Sequence, residues 1–160
     1  MSRFSLFLIM TAVFLITPSV QADSAVYKNS VNQDYDVVYK EVLASLEKHR
    51  FFVVLEPDVG ENLKGFAERW GEDYNQNKLE RIRSMVFCNA WYANSVSNAD
   101  PDMLALCPLH ISLIHKKGVT TVLFVRPDYV ARRSKAREIA KELTQAVIAA
   151  IEEGLVKAKD

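Results

Sequence analysis

The chain has 160 residues, with 20 Lys and Arg against 20 Asp and Glu and therefore no formal net charge at pH 7. A protein without a global positive field has little to draw in a polyanion, which argues against nucleic acid as a partner. The length suits one domain with its own core and is short for two.

The N-terminus reads as a secretory leader. Arg3 precedes an apolar stretch from Phe4 to Ile16 that only Ser5 and Thr11 interrupt, and Thr17, Pro18 and Ser19 then break it. Val20, Gln21 and Ala22 put small or moderate residues where a signal peptidase reads, which predicts cleavage after Ala22. A spanning helix needs about 20 apolar residues, more than this stretch holds, and no later segment is long and apolar enough to span. The expected organisation is a leader over 1–22, a short tail over 23–30 and a single domain over 31–157. The expected address is periplasmic or secreted, with no integral membrane segment after cleavage.

Along the rest of the chain, residues 23–31 read as a tail leading into a strand. Asn32 or Asp34 can cap a helix to about His49, in which Tyr35, Val38, Val42, Leu46 and His49 make one apolar stripe. Phe51 to Leu55 is a continuous apolar run closed by Glu56 and Pro57, the pattern of a buried strand. Val59, Leu63, Phe66 and Trp70 have helical spacing, but Gly60, Gly65 and Gly71 weaken it, so 58–83 reads as a short helix and loop. A strand over Ser84–Cys88, a short helix capped by Asn89 and a turn at Asp100 and Pro101 follow. Strands over 106–116 and 119–126 are joined by a Lys117–Gly118 hairpin. Ser134 then caps a closing helix to Lys157 whose apolar face is Ile139, Leu143, Ala146, Val147, Ala150 and Ile151. The expected fold is α+β, a mostly antiparallel sheet of approximate order β-α-β-β-β-β-α with the two long helices on one face.

The stretch FCNAWYANSVSNADPDMLALCPLH, residues 87–110, holds both cysteines. Cys88 ends one predicted strand and Cys107 begins the next, so antiparallel pairing would make the thiols neighbours. In an exported chain such a pair reads first as a structural disulfide. Two reduced thiols packed as small apolar groups, or a redox or ligand-binding pair, remain open beside it; the spacing is not that of a CxxC motif. His110 and His115 invite a metal reading, but strand alternation sends His110 away from Cys107, and no metal is expected.

Trp70, Tyr74, Phe87, Trp91 and Tyr92 fall around the same region, where they could pack in the core or line an apolar pocket with Asn89 and Asn94 as its polar contacts. Arg126, Arg132 and Arg133, with Lys135 and Arg137, crowd the entry to the last helix against its dipole, which marks a candidate anion contact. No GxSxG elbow, HExxH helix or Gly-rich phosphate loop is present, so no catalytic residue and no cofactor are expected.

The segment FCNAWYANSVSNADPDMLALCPLHISLIHK, with FFVVLEPDVGENL before it and TTVLFVRP after it, resembles the domain-of-unknown-function family 302 (DUF302) over residues 30–155. The family more often carries Asn-Pro where this chain has Asn89–Ala90. The resemblance implies a bacterial or archaeal α+β domain of TATA-binding-protein-like arrangement, often a homodimer, and supplies no catalytic residue. Two readings of function follow. One is a non-catalytic periplasmic domain that binds a small ligand or an envelope protein near Trp91 and Tyr92. The other is a periplasmic thiol redox or sulfur-handling protein using Cys88 and Cys107.

Overall fold

The structure, a computed structural model, describes residues 24–160. The expected leader and its cleavage site after Ala22 lie outside the described residues. Five strands form one antiparallel sheet in the order β1-β5-β4-β3-β2, with β1 at Val26–Val31, β2 at Phe52–Leu55, β3 at Arg81–Cys88, β4 at Leu109–Lys116 and β5 at Val119–Val125. Helices α1 (Tyr35–Lys48) and α6 (Arg137–Lys157) pack against each other and close one face. This is the expected α+β order, and most of the stretch expected as a tail forms edge strand β1, paired to β5 from Val26↔Val125 to Val31↔Thr120.

The core is set by the two periodicities. Every second residue of the central strands, Met85, Phe87, Ile111, Leu113, Val122 and Phe124, is buried toward the helices. Val38, Val42 and Leu46 of α1 meet Val147, Ala150 and Ile151 of α6 in the same cluster. The helices cross so closely at Gly154 that a Cβ there would sit 2.7 Å from the Cα of Val42. Asp34 caps α1 by accepting from the backbone N–H groups of Asp36 and Val37.

Several boundaries differ from the sequence expectation. β3 starts at Arg81 rather than Ser84, because Arg81 and Arg83 alternate with Ile82 and lay their guanidinium groups over the rings of Tyr35 and Tyr39. The expected helix and loop over 58–83 is two short helices, α2 (Val59–Lys64) and α3 (Ala67–Trp70), followed by a 3-10 turn at Gly71–Asp73. Helix α4 (Ala90–Ala99) has the expected Asn89 cap, but Pro101–Leu106 winds as a 3-10 turn, so β4 begins at Leu109 and not Leu106. A short helix α5 (Pro127–Val130) follows β5. Ser134 does not cap α6 directly; its hydroxyl accepts from the Ala136 N–H and donates to Asp100, and α6 starts at Arg137. Among the described residues, no helix is long and apolar enough to cross a membrane.

Candidate functional site

Strands β3 and β4 pair antiparallel from Arg81↔His115 to Phe87↔Leu109, which brings the end of β3 beside the entry to β4. Cys88, the last residue of β3, and Cys107, which ends the 3-10 turn two residues before β4, lie just beyond that end. Their sulfurs lie 3.9 Å apart, in contact and beyond the roughly 2.05 Å of a bond. Both are free thiols here and partly exposed, so the structure has the expected proximity and does not show the expected structural disulfide. Burial and the neighbouring Cys88 push the Cys107 thiol above its ordinary range.

The two thiols border an apolar crevice. It is lined by Leu109 of β4 and Leu143 of α6, by Tyr92, Ala93 and Val96 of α4, and by Ala131, Ala136 and Ala140 around the start of α6. Met103, Leu104 and Leu106 of the 3-10 turn complete the lining. The cavity measures about 20 Å³, room for about one water molecule. Small alanines on α6 and the preceding turn make this space by withholding side-chain volume where α4 approaches.

Asn89 is spent on architecture. Its carbonyl oxygen accepts from the N–H groups of Trp91 and Tyr92, and its amide donates to the Arg50 carbonyl. It still lines the crevice, as does Tyr92, whose ring stacks on Phe51. Trp91 is 62% exposed and packs edge-on against Tyr92 at 4.9 Å, which places it outside the crevice. Asn94 is exposed and is not part of the lining.

The aromatic residues grouped in the sequence are divided in space. Phe87 is buried against Phe51, whereas Trp70 stacks on Phe66 and Tyr74 lines a separate polar cleft beside α2. Sequence proximity misled here because 58–80 folds over the opposite end of β3. His110 is exposed, and His115 bonds the Thr120 hydroxyl and faces Tyr35, so neither histidine joins the thiols. Among the described residues, no three His, Cys, Asp or Glu side chains form a metal-holding group.

The basic cluster is also dispersed. Arg126 makes a two-pronged pair with Asp128 at 2.7 and 3.1 Å and donates to the Ser24 carbonyl. Those bonds hold the Asp128 carboxyl below its usual range despite partial burial, which pushes the other way. Arg132 lies over the Tyr129 ring and Arg133 is exposed. With α5 and a turn inserted before Arg137, Arg132 and Arg133 do not sit in the first turn of α6.

Sequence reasoning located the thiols, Asn89 and Tyr92 but missed Ala131, Ala136, Ala140 and Met103. Alanines on a helix read as ordinary helix formers, and nothing local says that three of them face one gap. The recurrence of alanine at 131, 136 and 140, five and four residues apart, was the available signal.

Comparison with known proteins gives a fold and a family. Residues 27–154 match the family described as a domain of unknown function, DUF302. The crystal structure of an uncharacterized conserved DUF302 protein from Bacillus stearothermophilus is similar, with a TM-score of 0.69 and 19% identity over 81% of this chain and 97% of that one. Comparison with curated proteins finds no match. With the match extending from the first strand through most of the closing helix, this chain belongs to the DUF302 family.

Proposed function

We propose that this chain is an exported, non-catalytic binding domain of the bacterial envelope, whose crevice beside Cys88 and Cys107 accepts a small apolar group from a ligand or a partner protein. The observation that carries this is the lining: carbon and sulfur surround the space, with Asn89 and the Tyr92 hydroxyl as polar groups. Such a composition suits an apolar occupant oriented by few polar contacts. At about 20 Å³ the cavity holds no ligand in its present packing, so an occupant displaces Met103 and Leu104, the latter already 41% exposed. The leader-like N-terminal sequence supports export. Phe52, Val54 and Leu55 stand exposed on edge strand β2 and offer a partner, or a second copy, further apolar contact.

Titration with octanoate and with benzyl alcohol tests this, read by Trp91 emission in a Trp70→Phe background and by the NMR shifts of Val96 and Leu143. Both probes are expected to perturb these groups, and Ala93→Leu, which fills the space, is expected to abolish the response. Unchanged crevice resonances, or wild-type binding by the Ala93→Leu protein, would refute the reading.

A second reading, periplasmic thiol redox or sulfur handling, is favoured by one observation, the 3.9 Å approach of the two sulfurs. Against it, a thiol pushed up by burial holds little of the nucleophilic thiolate. Mass measurement with and without reductant and alkylation separates the two: a pair that cycles readily supports thiol chemistry, and an inert pair supports binding alone.

A further inference from the structure

The thiol end of the sheet holds three sulfurs. Cys88, Cys107 and Met103 line the same crevice, and the remaining lining is apolar apart from Asn89 and Tyr92. Thiolate and thioether together are the donor set that selects soft monovalent copper over hard cations. We propose that Cys88, Cys107 and Met103 form a three-coordinate sulfur site for a soft d10 cation of the Cu(I) class. This does not rest on the apolar-ligand reading and has its own readouts.

Geometry discriminates among coordination numbers. With metal–sulfur bonds of about 2.3 Å, two sulfurs on a linear centre would stand about 4.6 Å apart, on a trigonal centre about 4.0 Å and on a tetrahedral one about 3.8 Å. The observed 3.9 Å falls in the three- to four-coordinate range and short of the linear one. A tetrahedral zinc site would need two more nitrogen, oxygen or thiolate ligands. Among the described residues, no group of three His, Cys, Asp or Glu side chains exists to begin supplying them. The third donor at hand is the Met103 thioether, on the 3-10 turn that lines the same crevice.

The chemistry balances without a redox step. Cu(I) binds as two thiols release their protons to solvent, giving a bis-thiolate complex of net charge −1 with the thioether as a neutral third ligand. Helix α4 starts two residues after Cys88, so the positive end of its dipole lies beside the negative complex. The apolar walls offer a cation few oxygen or nitrogen donors, which disfavours hard, hydrated competitors.

The test is anaerobic titration of the reduced protein with Cu(I) against a chromophoric Cu(I) chelator, followed by X-ray absorption of the complex. One Cu(I) per chain is expected, bound by three sulfurs at about 2.3 Å. Cys88→Ser and Cys107→Ser should each abolish it. Since loss even of an outer-shell group costs about 10- to 100-fold in metal affinity, Met103→Leu should weaken binding by at least about tenfold. Met103→Leu conserves volume and keeps the fold testable should a cysteine variant fail to fold. A linear two-sulfur centre, unchanged affinity in Met103→Leu, or stoichiometric Zn(II) that Cu(I) cannot displace would each overturn the proposal.

Discussion

The two ends of strand β3 differ in kind. At the Arg81 end, charge is abundant and already paired: Arg81 lies over Tyr35 and bonds Asp36, and Arg83 lies over Tyr39 within 3.8 Å of Asp58. Tyr39 donates to Glu56, while His115 bonds Thr120 and approaches Glu80 at 3.7 Å. At the Cys88 end there is almost no charge, and the reactive groups are two free thiols beside an apolar gap. Charged clusters attract functional readings, yet here they tie strand to helix. The unspent chemistry lies where the side chains are soft and neutral.

If this contrast is right, the thiol end should depend on packing and the charged end should not. Phe87 is fully buried and meets Phe51 edge-on under the crevice. Phe87→Ala should therefore destabilise by about 3–5 kcal/mol, the usual cost of emptying a buried aromatic site. Arg83→Met gives up a guanidinium 5.3 Å from the centre of the Tyr39 ring, a long, partly solvated ion pair and a buried Nε that has no hydrogen-bond partner. Its cost should stay within about 1 kcal/mol. Denaturant midpoints for the two variants measure the difference, and equal losses would remove the distinction.

Oxidation sharpens the comparison next. A bond between Cys88 and Cys107 would close a loop of about 20 residues and, in the chain-entropy model, stabilise by about 3 kcal/mol if unstrained. Thermal melts of oxidised and reduced protein should differ accordingly. No difference would mean that closing the remaining gap costs as much strain as the crosslink gains.

Most of the fold could be read from periodicity. The stripe Tyr35, Val38, Val42 and Leu46 and the alternation through β4 and β5 state their partners directly, because one face of each element must be buried. The first part of β3 could not, since Arg81 and Arg83 look like surface residues until their guanidinium groups are seen lying over tyrosine rings. The thiol pairing was legible because antiparallel strands joined by a short helix must return beside their origin. The crevice was not, because a gap is made by what alanines lack, and Met103 lies on a 3-10 turn of which the sequence pattern shows only the opening at Asp100 and Pro101.

The smallest effect tests the charged end from inside. Tyr35 is 2% exposed, and its hydroxyl is buried with no hydrogen-bond partner. A buried, unbonded hydroxyl costs desolvation without return, so Tyr35→Phe should be neutral or stabilise by up to about 1 kcal/mol at pH 7. Burial also pushes the phenol up to about 12, against Arg81 and Arg83, which pull it down. A group whose folded value is raised contributes stability that is complete below its unfolded value, about 10, and is lost as pH rises through the folded one. Wild-type stability should thus fall between about pH 10 and pH 12, and Tyr35→Phe should remove part of that fall. An identical alkaline profile in the variant would mean that Tyr35 is solvated or bonded in solution. The self-sufficiency of the charged end would then fail at its most buried member.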